Sequence, residues 1–164
     1  MEFSDVLAAI ALVVSIVAAW HSYKAHRESV AFSEREASRE FSRERSEFLI
    51  RLERSTKLFE RVESRINGVL SSIESQPSRI TSSLSAQKDG LRSDLKYLEG
   101  CLRQSRILWD ENYDMSRDGF AHHKPRHLAL LEDDEDFAMQ ALARADKAEE
   151  ALNTNLFISN PIIG

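Results

Sequence analysis

Apolar and polar positions divide the chain into a continuous apolar run, a charged stretch and three striped segments. The run is VLAAIALVVSIVAAW at residues 6–20, interrupted by a single serine. A helix over residues 3–23 is about 32 Å long at 1.5 Å per residue, and a bilayer's hydrocarbon core is about 30 Å thick. Trp20 and Tyr23 lie at the edge of the run, where aromatic side chains anchor spanning helices. The pattern predicts one transmembrane anchor over residues 6–23.

Two alternatives to a retained anchor are a cleaved signal peptide and a buried core helix. A signal peptide begins with a basic region, whereas residues 1–5, MEFSD, carry two acids and neither lysine nor arginine. A core helix has a polar face, whereas the run is apolar on all sides. The first basic residues after the run are Lys24, Arg27, Arg35 and Arg39. By the positive-inside rule, residues 1–5 lie outside the inner (plasma) membrane and the C-terminal part lies in the cytoplasm.

Residues 24–45 are charged on nearly every side and contain neither proline nor glycine. Opposite charges there and just beyond recur three or four positions apart, a spacing that stabilises exposed helices. Examples are Glu36–Arg39, Glu40–Arg43, Glu47–Arg51 and Glu53–Lys57. This pattern predicts a solvated helical stalk. Glutamates alternate with the arginines and the net charge of the chain is −5, so no nucleic-acid partner is expected.

Three segments of about thirty residues each, 46–76, 80–110 and 128–157, carry apolar side chains at helical spacing. The first stripe is Phe48, Leu52, Ser55, Phe59, Val62, Ile66, Val69 and Ile73. The second is Ile80, Leu84, Leu91, Leu95, Leu98, Leu102 and Trp109. The third is Leu128, Leu131, Ala138, Leu142, Ala145, Leu152 and Leu156.

Pro77 after Gln76 marks the first turn between these segments, and Asp118-Gly119 with Pro125 marks the second. Segments of matched length with short turns favour antiparallel packing. The predicted fold is therefore all-α: a transmembrane helix, a stalk, and an antiparallel three-helix bundle or coiled coil over residues 46–157. The alternative is that the stripes pack between chains in a homo-oligomer.

Composition narrows the chemistry further. Eight residues of glycine plus proline are too few for an all-β fold, and one cysteine excludes a disulfide framework. No phosphate-binding, hydrolase or zinc signature occurs, so neither an enzyme nor a cofactor is predicted. Cys101 is expected to be a packed thiol, and the acids at 132–136 are expected in the first turn of the third helix.

Two segments remain as candidate sites. Residues His122–His127 hold three histidines in a predicted loop, which is expected to be solvated rather than to bind a metal. The apolar tail, residues 158–164, and the end of the third segment carry Leu156, Phe157, Ile158, Ile162 and Ile163. These five side chains either fold back on the bundle or dock on a protein partner.

The first functional hypothesis is a non-enzymatic, single-pass tether, scaffold or adaptor, held in the lipid bilayer by residues 6–23, that binds protein partners at the cytoplasmic face. An alternative is a small membrane-active effector that oligomerises through its anchor. A third is a metal-responsive sensor that uses the loop at residues 122–127.

Overall fold

A computed structural model describes the backbone of residues 3–77 and 81–158, and the side chains of residues 10–77 and 81–154. These residues form three helices and no strand, so the predicted all-α class is confirmed. The helices are α1 (Phe3–Glu74), α2 (Ser82–Tyr113) and α3 (Arg117–Ile158). The first turn lies where Gln76 and Pro77 predict it, directly after the end of α1.

The chain divides into two compact units, Met1–Glu44 and Arg45–Gly164. In the first unit, residues 10–40 are exposed except for the half-buried Ala37. Among the residues whose side chains are described, no helical stretch has both the length and the apolar character needed to cross a membrane. Residues 6–9 of the predicted anchor lie outside those residues, and the anchor stays a prediction.

The buried face of α1 in the second unit is the predicted first stripe. All eight of its members are buried, from Phe48 at 2% exposure to Ile73 at 0%. Their steps alternate between four and three residues, which keeps one seam of the helix against its neighbours. Ser55 is the one polar member of the seam, and it is 2% exposed.

The buried face of α2 differs from the predicted second stripe. Leu84, Leu91 and Leu98 are buried as predicted, but Leu95 and Leu102 are only half-buried and Trp109 is exposed. The other buried side chains are Asp94, Cys101, Ser105, Leu108 and Asn112. From Leu91 to Asn112 their steps alternate three and four without a break, so the seam runs through polar positions. Ile80 lies outside the described residues.

The third stripe is confirmed in part. Leu131, Ala138, Ala145 and Leu152 are buried, while Leu128 and Leu142 are half-buried at its edge. The seam also takes in Phe120, His127, Ala141 and Ala148. The side chain of Leu156 lies outside the described residues.

The second predicted turn is wrong in position. Asp118, Gly119 and Pro125 all lie inside α3, because the chain turns earlier, at residues 114–116. The hydroxyl of Ser116 accepts a hydrogen bond from the backbone N–H of Gly119 at 3.3 Å. The carbonyl of Ser116 accepts one from the backbone N–H of Phe120 at 2.9 Å. This is an N-cap arrangement that satisfies donors at the start of the helix.

Ion pairs and hydrogen bonds of the second unit fix the directions of the helices. Glu74 at the end of α1 pairs with Lys88 near the start of α2, at 3.1 Å. Arg51 and Arg65 of α1 pair with Glu135 and Glu149 of α3 in ascending order. At the far end of α2, the carbonyl of Tyr113 accepts from Arg45 of α1 at 3.0 Å. Therefore α1 and α3 run parallel, α2 runs opposite to both, and the predicted helical bundle is confirmed for this unit.

Gly90 and Gly100 of α2 do not mark places where a neighbouring helix packs closely. A Cβ atom built on Gly90 or Gly100 meets no heavy atom within 4 Å. Close helix approach therefore requires a glycine at neither position. Small side chains line the seam of α3 instead, where the alanines at positions 138, 141, 145 and 148 are fully buried.

Candidate functional site

The apolar run is presented as an exposed helical surface in the first unit. Seven large apolar side chains there are between 50% and 67% exposed. They are Ile10, Leu12, Val13, Val14, Ile16, Val17 and Trp20. Contiguous apolar surface of this kind marks a site of contact with lipid or protein. The hydroxyl of Ser15, the single polar group within the run, donates to the carbonyl of Ala11 at 2.8 Å and is thereby satisfied within its own helix.

A second candidate site is a buried polar layer in the bundle, between α2 and α3. Asn112 is fully buried, and its amide nitrogen donates to the carbonyl of Leu108 at 2.7 Å and to Nδ1 of His127 at 3.2 Å. An amide nitrogen can only donate, so His127 accepts at Nδ1 and is neutral, with its hydrogen on Nε2. The amide oxygen of Asn112 is buried without a hydrogen-bond partner.

Aromatic rings pack against His127 and against one another beside this layer. Phe48 of α1 lies 6.2 Å from the His127 ring and meets Phe120 edge-on at 5.8 Å, both measured between ring centroids. The rings of His123 and His127 are stacked, with 5.8 Å between their centroids. Burial lowers the pKa of His127, and the charges of His123 and Arg126 act in the same direction, while Glu111 raises it.

The segment with three histidines, residues 122–127, is helical, so the loop predicted there is wrong. Residues 122–127 lie within α3, with His122 exposed, His123 half-buried and His127 buried. Among the described residues, no group of three or more histidine, cysteine or acidic side chains is placed to hold a metal ion.

The acidic run is not in the first turn of α3, because that helix begins fifteen residues earlier, at Arg117. Its members instead bond across the bundle. Asp134 accepts from the Tyr97 hydroxyl at 3.1 Å, and Glu135 accepts from Ser55 and from Arg51 of α1. Two of the five acids therefore bond to other helices, which their predicted place in a first turn did not indicate.

A partly buried ion pair joins α2 and α3, because Asp94 is buried while the Arg144 side chain is 44% exposed. Asp94, 8% exposed, accepts two hydrogen bonds from Arg144, at 2.8 and 2.9 Å. The guanidinium also lies 5.5 Å above the ring of Phe137. A two-pronged pair of this kind adds geometric specificity to helix pairing. Sequence reading missed Asp94 because an acid was not expected at a seam position, although the spacing of three and four continues through it.

Cys101 is a packed thiol, as predicted. It is 4% exposed within the hydrophobic core, and burial raises its pKa to about 12, with Asp134 acting in the same direction. The thiol is protonated at neutral pH, and only the thiolate is a good nucleophile.

Two of the shallow grooves on the described bundle surface lie along α2. One, of about 420 Å³, lies between α2 and α3, and a buried side-chain oxygen of Gln87 within it has no hydrogen-bond partner. It is lined by Ser83, Ala86, Gln87, Gly90, Leu91, Arg144 and Lys147. The other, of about 270 Å³, lies between α1 and α2 beside Trp109.

The five predicted docking residues of the tail are Leu156, Phe157, Ile158, Ile162 and Ile163. Their side chains lie outside the described residues, although α3 itself continues to Ile158. Both hypotheses for the tail therefore stay predictions. No family model, curated protein or solved structure matches this chain.

Proposed function

We propose that the protein is a single-pass membrane tether, scaffold or adaptor that presents its helical bundle to protein partners in the cytoplasm. The observation that carries this proposal is the exposed apolar surface at residues 10–20. Burying one large apolar side chain contributes about 1.5–3 kcal/mol, so leaving seven in water costs on the order of 10 kcal/mol. A lipid bilayer would remove that cost. The proposed anchor also takes in residues 6–9, which are apolar in sequence.

The orientation of the proposed anchor follows from its charges. Residues 1–5 carry no lysine or arginine, whereas Lys24 and Arg27 directly follow the apolar run and are exposed. Basic residues near a spanning helix remain on the cytoplasmic side. The bundle is then cytoplasmic, where Cys101 would stay reduced.

The tether is favoured over a membrane-active effector because the anchor lacks a polar face. An aqueous pore needs polar side chains along its lining, and the hydroxyl of Ser15 is bonded to its own helix. The metal-responsive sensor has less support, because His127 is buried and its Nδ1 already accepts from Asn112. The apolar tail, residues 158–164, remains the proposed docking segment for a protein partner.

The experiment is extraction of cell membranes with alkaline carbonate. Replacing Leu12→Asp and Ile16→Asp together costs about 6–8 kcal/mol of insertion free energy. We expect the native chain to stay in the membrane pellet and the double variant to move to the soluble fraction.

The matched control is Val30→Asp with Phe32→Asp, which places the same charges on exposed apolar positions beyond the anchor. This variant should stay in the pellet. Release of the native chain by carbonate would contradict a spanning anchor.

A further inference from the structure

The helix face that follows the apolar run combines aromatic and basic side chains. On α1, Trp20 lies three and four positions before the adjacent Tyr23 and Lys24, and Arg27 lies four and three positions after them. At about 100° per residue, these four positions lie within roughly one third of the helix circumference. All four are exposed, with Trp20 at 67% and Tyr23 at 58%. The face therefore presents two amphipathic rings beside two cations.

The charge on this face has little compensation from its own helix. No acidic residue occurs between residues 6 and 27, and the first to follow is Glu28. Glu28 lies 3.9 Å from Lys24, and both side chains are strongly exposed, at 71% and 65%. An exposed ion pair at that distance is weak in water, so Lys24 remains able to bind another anion.

We propose that this face, defined by Trp20, Tyr23, Lys24 and Arg27, binds the headgroups of acidic phospholipids. The inference rests on the proposed function, because a membrane anchor at residues 6–23 places the face at the depth of the lipid headgroups. Indole and phenol rings are enriched at that depth, and each basic side chain near an acidic surface strengthens binding roughly fivefold. In a membrane, the phosphate groups of acidic lipids lie at the same depth as these aromatic rings. The proposed ligand is therefore a lipid headgroup and not free phosphate.

The test measures which lipid lies next to Trp20. The chain has two tryptophans, so Trp109→Phe leaves Trp20 as the sole indole fluorophore. The full chain is reconstituted in vesicles of phosphatidylcholine with a minor share of phosphatidylglycerol, and bromine is placed on the acyl chains of either lipid. Quenching by each brominated lipid then reports how much of that lipid contacts Trp20.

We expect brominated phosphatidylglycerol to quench Trp20 as if enriched roughly fivefold over its share of the bilayer. Lys24→Gln with Arg27→Gln should reduce quenching to the bulk share, and so should high salt. The control, Arg35→Gln with Arg39→Gln, removes equal charge farther from the anchor and should retain the enrichment.

Two results would overturn the proposal in different ways. Quenching by both lipids in proportion to their bulk shares would exclude acidic-lipid binding and leave the anchor intact. Quenching by neither lipid would show that Trp20 does not lie in the bilayer, which would contradict both the anchor and the proposed function. Equal loss of enrichment in the control pair would show a general charge effect and not a site at this face.

Discussion

Val62→Asp will abolish the cooperative unfolding of the bundle. Val62 is fully buried in the hydrophobic core, next to other members of the first seam. A carboxylate at this fully buried position has no contact with water, and isolated buried charges cost several kcal/mol. Since most single domains are stable by about 5–15 kcal/mol, this change removes much of the stability. Thermal unfolding followed by circular dichroism is the measurement.

The matched control for this variant is Arg61→Asp, which places the same side chain on the adjacent exposed position. Its unfolding should remain cooperative, with a midpoint near that of the native chain. A sharp, unshifted transition for Val62→Asp would mean that the first seam is not the core of the bundle.

Acidification will destabilise the bundle through His127. In the unfolded chain histidine titrates near pH 6.5, whereas burial lowers the pKa of His127 in the folded chain. As the pH falls below about 6.5, the unfolded state binds more protons than the folded state, so the free energy of unfolding decreases. The stabilisation is present above pH 6.5 and is lost as the pH approaches the lower folded pKa. Protonation at Nδ1 would also end its acceptance of the Asn112 hydrogen bond.

Denaturant unfolding between pH 7.5 and pH 5 measures this effect. His127→Leu should flatten the slope of stability against pH, while His122→Gln, at an exposed position of the same helix, should keep it. Identical slopes in the native chain and His127→Leu would assign the acid sensitivity to other groups.

The part of the fold that sequence predicts best is the first seam. From Phe48 to Ile73 its members are apolar except Ser55, so polarity and heptad spacing mark the same positions. In α2, polarity and heptad spacing do not mark the same positions. There Leu95 and Leu102 are apolar but flank the seam, whereas Asp94, Ser105 and Asn112 are polar and occupy it.

Partners across the bundle explain why polar residues are accepted at seam positions. Asp94 is held by Arg144, fifty residues later, and Asn112 by His127, fifteen residues later. No local sequence pattern predicts such pairs, because each pair depends on the register between α2 and α3. An unbroken alternation of three and four is the signal that could have found Asp94 and Asn112.

The predicted position of the second turn is wrong for a different reason. Gly119 and Pro125 are breakers of local helix structure, and Pro125 removes one backbone hydrogen bond from α3. Burial of Phe120 and His127 on either side of the proline favours continuing the helix through it. Ser116 provides the cap that starts α3 earlier than composition suggested.

Topology reporters test most directly the claim that residues 6–23 anchor a cytoplasmic bundle. One reporter that is active only in the cytoplasm and one that is active only after export are each fused after Gly164 of the full chain. The predicted orientation makes the cytoplasmic reporter active and the exported one silent, with both fusions in the membrane pellet. An active exported reporter, or fusions found in the soluble fraction, would contradict it.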